Sequence, residues 1–278
     1  MDDRITEFAN GPYTFDVLDD GPVAGAPVIL LHGFPQRATA WELVAPRLHA
    51  NGLRTLAPDL RGYSPRARPS ARRDYRMSEI VGDVIALIDT LGADTVDLVG
   101  HDWGGMAAWA VAARRPERIA TLTVASTPHP AAFVRAMPRG QVLRSWYMAA
   151  FNIPKVPEWF LTRMFRSADG GARMGLPEPF ASRVRADIVD SGALPGALNW
   201  YRGMPFWNRA DRRTGRVRVP TTYVWGDGDF ALGRAAAEMT SGYVDAPYEF
   251  RILHDADHWL PEARPDELAA AIVDRVTA

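Results

Sequence analysis

The chain has 278 residues, and its 32 Lys plus Arg nearly balance 33 Asp plus Glu, for a net charge of −1. That balance excludes a strongly basic surface for nucleic acid and gives no electrostatic handle for a membrane. The absence of cysteine excludes disulfides, thiolate metal sites and a cysteine nucleophile, and fits a reducing cytoplasm, the expected location.

In chain order, Met1-Asp2-Asp3-Arg4 lacks the basic-then-apolar layout of a secretory signal, and no later apolar run nears the ~20 residues of a membrane span. Asn10-Gly11 predicts a hairpin turn between two short strands. Pro27 to Leu31 reads as a buried central strand ending at His32-Gly33-Phe34-Pro35. Helical spacing follows through Trp41, Leu43, Val44 and Leu48, then a strand around Thr55 to Ala57. Ser78 is the expected N-cap of a helix carrying Ile80, Val81, Val84, Leu87, Ile88 and Leu91, with Gly92 as its stop. Thr95 to Val99 reads as a strand, Met106 to Arg115 as a helix and Ile119 to Ala125 as a buried strand. This alternation predicts a mostly parallel sheet covered on both faces.

The rhythm breaks at residue 127. From 127 to 214 the chain is rich in Pro, Trp, Met and Arg and shows short helical patterns without strands, as expected of a helical cap. Residues 1–126 and 215–278 would be the two parts of the α/β core. Alternation resumes with strands at Thr221 to Trp225 and Tyr248 to Leu253 and ends in a helix over Pro265 to Val276.

Between the strand at 95–99 and its helix lies Gly100-His101-Asp102-Trp103-Gly104-Gly105. A strand, a sharp turn with small neighbours and a helix form the setting of a nucleophile elbow, here with aspartate where serine is usual. An ionised carboxylate attacks carbon directly and forms an alkyl ester on the enzyme. That chemistry calls for an electrophilic carbon bearing a leaving oxygen or halide. Hydrolysing the ester then requires a base, an acid to orient it, and donors for an oxyanion. Trp225-Gly226-Asp227-Gly228-Asp229 offers two acids, and His254-Asp255-Ala256-Asp257-His258-Trp259 offers two histidines. Asp229 and His258, further beyond the strand ends, are the favoured pair. Asp227 reads as a loop residue, and His254 as a strand-end residue packed near the sheet. Gly226-x-Gly228 lacks the third glycine of a nucleotide fingerprint, so no cofactor is expected. The backbone N–H groups of Phe34 and Trp103 are the candidate oxyanion donors, with Gly33 permitting close approach. His32 and His101 read as structural hydrogen-bonders.

Together, His32-Gly33-Phe34-Pro35, Asp59-Leu60-Arg61-Gly62-Tyr63-Ser64, the aspartate elbow and the late acid and histidine motifs resemble the α/β-hydrolase-fold epoxide hydrolases. Their relatives, the haloalkane dehalogenases, share the aspartate elbow. The resemblance runs in order over nearly the whole chain. It implies the α/β-hydrolase fold, with a mostly parallel central sheet and an inserted helical cap. It also implies two cap tyrosines that hydrogen-bond the epoxide oxygen. Tyr147, within Ser145 to Pro154, and Tyr201, in Asn199-Trp200-Tyr201-Arg202, stand in matching surroundings. A phenol suits this role because it is protonated at neutral pH yet acidic enough to assist an alkoxide.

The expected substrate is a small, apolar epoxide, with water as the second reactant. The rival from the same nucleophile is a haloalkane or haloacid dehalogenase. Phe34, whose side chain cannot donate to a halide, weighs against a haloalkane dehalogenase, and Trp103, where fluoroacetate-type relatives carry arginine, against that type, although the Trp103 N–H could still serve a halide. A non-catalytic binding protein is a third reading, and an esterase a weaker one. Gln36 departs from the Glu that many of the resembled enzymes carry after the proline. Arg66, Arg68, Arg72, Arg73 and Arg76 read as a solvated loop. Trp146, Phe151, Trp159, Phe165, Phe206 and Trp207 suggest an apolar cap pocket, although aromatic stripes are more often core than site.

Overall fold

A computed structural model of the chain describes residues 4–167 and 169–278, so the reading of Met1 to Asp3 lies outside the described residues. Eight strands form: β1 (Glu7–Asn10), β2 (Tyr13–Asp20), β3 (Ala26–Leu31), β4 (Leu53–Pro58), β5 (Val96–His101), β6 (Ile119–Ala125), β7 (Thr221–Gly226) and β8 (Tyr248–Leu253). They make one sheet in the order β1-β2-β4-β3-β5-β6-β7-β8. The Asn10-Gly11 signal is realised as the β1–β2 hairpin, with Gly11 at φ 56°. β2 pairs antiparallel with β4, and from β4 to β8 every pairing is parallel. Val28 to Leu31 are fully buried, as a central strand covered on both faces requires.

Helix Met77–Leu91 stops at Gly92, which takes φ 71°. Its N-terminus differs from the Ser78 expectation. Arg76 is the extended residue before the helix, and the Ser78 N–H donates to Asp211 Oδ1 at 2.9 Å. A carboxylate remote in sequence thus satisfies one of the four orphan donors of the first turn. The segment from Trp41 to Leu48 is also broken, into a 3-10 turn at Ala38–Trp41 and a short helix at Ala45–His49. Pro46, with no N–H and a fixed φ, fits only a first helical turn.

The helix after the elbow begins at Trp103 rather than Met106, because the Asp102 carbonyl already accepts the Met106 N–H at 3.0 Å. Between residues 127 and 214 every regular element among the described residues is helical. The helix Leu194–Gly203 packs through glycine, since a Cβ on Gly196 would lie 2.3 Å from the Gly62 carbonyl oxygen. The Trp200 indole N–H donates to Arg61 O at 2.7 Å. Arg61 is itself held by buried Asp83 at 2.6 Å. Much of Asp59-Leu60-Arg61-Gly62-Tyr63-Ser64 therefore seats this helix.

Two expectations fail on the outer surface. Trp146, Trp159 and Phe206 are 69%, 67% and 52% exposed rather than lining a pocket, while Phe165 is buried and Phe151 packs on Tyr201. In the arginine loop Arg66 and Arg73 are exposed as expected, but Arg68 is half-buried. Its guanidinium reaches the Tyr63 and Ser191 carbonyls at 2.6 and 2.7 Å, tying the loop to the helical segment. Among the described residues no helix is long and apolar enough to cross a membrane.

Candidate active site

The chemistry-bearing residues gather beyond the carboxyl ends of β3, β5, β6, β7 and β8, where open α/β sheets form their crevice. Asp102 occupies the turn after β5 with φ 51° and ψ −120°, a conformation side chains rarely adopt. The turn survives because its neighbours lack side chains. A Cβ on Gly104 would stand 2.1 Å from Leu31 O, and one on Gly33 would stand 2.3 Å from the Asp102 Cβ. That closeness brings the Phe34 N–H to Asp102 Oδ1 at 2.8 Å. The Thr127 hydroxyl donates to the Asp102 carbonyl at 2.8 Å and braces the turn from β6. Burial would raise the Asp102 pKa, but His258, His101 and the Phe34 N–H hold it below the usual carboxylate value.

His258 Nδ1 lies 2.9 Å from Asp229 Oδ2. The other oxygen of Asp229 accepts the N–H groups of Ala231 and Leu232, each at 2.8 Å, so this carboxylate is fixed on both sides. His258 Nε2 faces Asp102 Oδ2 at 3.5 Å. The His258 carbonyl accepts the Ser126 hydroxyl at 2.7 Å and His101 Nε2 at 2.9 Å, which anchors the histidine loop to β5 and β6. Burial pushes the His258 imidazole down, yet Asp229 and Asp102 outweigh it and raise its pKa to about 10.

Asp227 and His254 join each other instead, at 2.8 Å. The His254 side chain is 78% exposed, which corrects its expected packing near the sheet. Position decides the difference: the residue next after β8 points out, and the loop must run four residues further before it can turn back over β5. His32 and His101 are structural by geometry. His32 Nε2 accepts the Leu60 N–H at 3.1 Å, and burial lowers the pKa of both rings to about 4.

Above Asp102 is a cavity of about 40 Å³, lined by Asp102, Trp103, Met106, Thr127, Phe133, Tyr147, Met148, Tyr201 and Leu232. The two tyrosine rings come from different helices, with centroids 6.1 Å apart. Tyr201 packs edge-on to Phe34 and Trp103, at 5.6 and 5.0 Å. Burial raises both phenols above their ordinary range, so both are neutral. Trp103 opens its helix, which leaves its backbone N–H without an intrahelical acceptor. Arg202 does not face the cavity. It binds Glu158 at 2.5 and 2.8 Å and the Phe151 and Ile153 carbonyls at 2.8 and 3.2 Å, locking the helix of Tyr201 to the segment after Tyr147. Ser126 and Thr127 escaped the sequence reading. Their one signal was a place at the carboxyl end of a predicted strand.

A model of the alpha/beta hydrolase fold family matches residues 26–265, and the sheet, elbow and crevice are those of that class. Within it several relatives are epoxide hydrolases. Epoxide hydrolase 3 of Xenopus tropicalis is 34% identical over 89% of this chain and 70% of its own length. Epoxide hydrolase A of Mycobacterium tuberculosis is 29% identical over 91% of both. Epoxide Hydrolase A from Mycobacterium thermoresistibile superposes with a TM-score of 0.80 at 26% identity, covering 95% of each chain. The chain belongs to the epoxide hydrolase family of α/β-hydrolase-fold enzymes.

Proposed function

We propose that this hydrolase converts a small, apolar epoxide to a vicinal diol through a covalent ester on Asp102. Oδ1 of Asp102 is engaged by the Phe34 N–H, which leaves Oδ2 to attack an epoxide carbon. The ring C–O bond breaks, and the alkoxide takes a proton from Tyr147 or Tyr201, above the carboxylate. His258 Nε2, with Asp229 fixing the ring through Nδ1, then removes a proton from water. The hydroxide adds to the ester carbonyl carbon of Asp102. The oxyanion is held by the backbone N–H groups of Phe34 and Trp103, and the tetrahedral species collapses to release the diol. The imidazolium proton goes to the departing oxygen, and the proton left on the Asp102 carboxyl returns to the tyrosinate, so epoxide plus water balances diol and every group regains its starting charge.

The observation that carries this reading is the placement of Asp102 and two neutral phenols around one apolar cavity, with His258 Nε2 3.5 Å from Asp102 Oδ2. The cavity lining holds no cation, which favours neutral substrates. We take residues 127–214 as the cap and 1–126 with 215–278 as the core. The cysteine-free composition supports a cytoplasmic setting.

The test is the intact mass of a His258→Gln variant after exposure to separate epoxide and haloalkane panels. Without the base, attack proceeds and hydrolysis stalls. A gain equal to the whole epoxide supports ring opening. A gain equal to a haloalkane minus its halide, with no epoxide adduct, transfers the reading to a dehalogenase.

A further inference from the structure

Gln36, the departure from the resembled pattern, finds its explanation 226 positions away. Its side-chain amide donates to Glu262 Oε1, and both residues are more than nine-tenths buried. Two buried oxygens of this same pair, Gln36 Oε1 and Glu262 Oε2, have no hydrogen-bond partner among the described residues. A buried acceptor without a donor is costly, and a buried carboxylate costlier still. One proton on Glu262 resolves both deficits, because the acid O–H can then donate to Gln36 Oε1 and close a reciprocal amide–acid pair.

The pair joins the two turns on which ester hydrolysis depends. Gln36 N–H donates to Gly33 O at 2.9 Å, closing the turn that presents the Phe34 N–H to Asp102. Glu262 N–H donates to Trp259 O at 3.2 Å and Leu260 N–H to His258 O at 3.0 Å, in the turn that presents the imidazole. We propose that Glu262, as a neutral acid paired reciprocally with Gln36, is a positioning residue that fixes the Phe34 oxyanion donor relative to His258. The inference rests on the Asp102-ester reading.

The surroundings agree. Burial raises Glu262 to about 8, with His258 lowering it and Asp257 raising it. The 3-10 turn Ala38–Trp41 packed against it carries no charge. The helix Pro265–Thr277 brings Asp266 and Glu267 in its first turn, but these pair with Arg47 and Arg264. Ionisation above about pH 8 removes the acid O–H bond to Gln36 Oε1 and leaves only the amide N–H bond to Glu262 Oε1, so the pairing is no longer reciprocal and the hydrolytic step weakens on the alkaline side.

The experiment measures ester formation and ester hydrolysis separately, by rapid quench and intact mass with styrene oxide as probe, from pH 6 to 9.5. Wild type, Glu262→Gln and Glu262→Leu are compared, each checked by circular dichroism. An amide at 262 can close the same reciprocal pair without a titrating proton. Glu262→Gln should therefore match wild-type hydrolysis within about twofold at pH 7 and lose the alkaline decline. Glu262→Leu should slow hydrolysis by about tenfold or more while ester formation stays within about threefold. An alkaline decline retained by Glu262→Gln overturns the proposal, as does a wild type without one. Equal impairment of both variants overturns it too. If wild type forms no ester at all, the Asp102 reading fails. If ester forms and decays unaffected by these changes, only the role of Glu262 falls.

Discussion

His258 Nε2 lies 3.5 Å from Asp102 Oδ2, so the base of the proposed second step faces the nucleophile of the first. The two are electrostatically coupled, and each keeps the other charged. Alkylation removes the charge on Asp102 and with it one of the two carboxylates that raise His258. The imidazole then becomes easier to deprotonate when a neutral base is needed. In the proposed mechanism the ester itself switches on the base.

This coupling predicts different pH profiles for the two half-reactions. Asp102 is held below its ordinary pKa, so ester formation should stay flat down to about pH 5. Ester hydrolysis needs neutral His258 and should fall as pH drops through the pKa of the alkylated state. Single-turnover quench at several pH values measures both. Parallel acid limbs would contradict the coupling.

Asp229→Asn should leave ester formation within a few-fold and slow ester hydrolysis by roughly 10²–10⁴. The carboxylate orients His258 through Nδ1 and is fixed by two backbone N–H groups, so an amide in that frame favours the wrong tautomer. Accumulation of the adduct in intact-mass spectra is the readout.

Tyr147→Phe and Tyr201→Phe should each slow ester formation by about 10²-fold, and the double variant further, with hydrolysis of preformed ester much less affected. Ring opening is the step that needs their protons. Removing one hydroxyl from a buried phenol leaves the ring packing of Tyr201 on Phe34 and Trp103 in place. Unchanged ester formation in either variant would assign that tyrosine to packing alone.

Gly196→Ala should lower ester formation about tenfold or more and destabilise the fold by about 1–3 kcal/mol. The new Cβ meets the Gly62 backbone at 2.3 Å, which displaces the helix that carries Tyr201. Gly242→Ala, with nothing within 4 Å of its Cβ, should change neither quantity. Thermal melts and single-turnover rates of the two variants make the comparison.

Glu262 also predicts a stability trend. Its pKa in the fold, about 8, exceeds the ordinary 4.5, so the native state holds a proton that the unfolded chain has released between those values. Stability from this group is complete below the lower value and is lost as pH rises toward the upper one. The melting temperature of Glu262→Gln relative to wild type should therefore climb from pH 5 to pH 9, by roughly 5 °C or more. A constant difference would place the pair outside proton linkage.

The sheet was legible because its strands announce themselves locally. Apolar runs such as Val28 to Leu31 have few alternatives to a buried strand, and Gly11 and Gly92 mark turns by backbone freedom alone. The elbow was legible for the same reason, since only glycine tolerates the approaches at Gly33 and Gly104. Asp102 was thereby marked as the residue at the tip. The sequence also placed Asp229 and His258 beyond the late strands, which is as far as chain position reaches.

What required the tertiary structure was every relationship between residues distant in sequence. Asp211 caps the helix that Ser78 was expected to cap, because the orphan N–H groups of a helix take whichever acceptor the fold delivers. Trp146 and Trp159 face outward although their composition matches a pocket wall, because a short helix has two sides and composition does not say which one turns inward. Gln36 looked like a departure in isolation and acquires a partner only when Glu262 is packed against it. Local backbone preference determined the strands and the elbow. Burial, which depends on what the rest of the chain brings alongside, decided which polar groups meet and in what charge state.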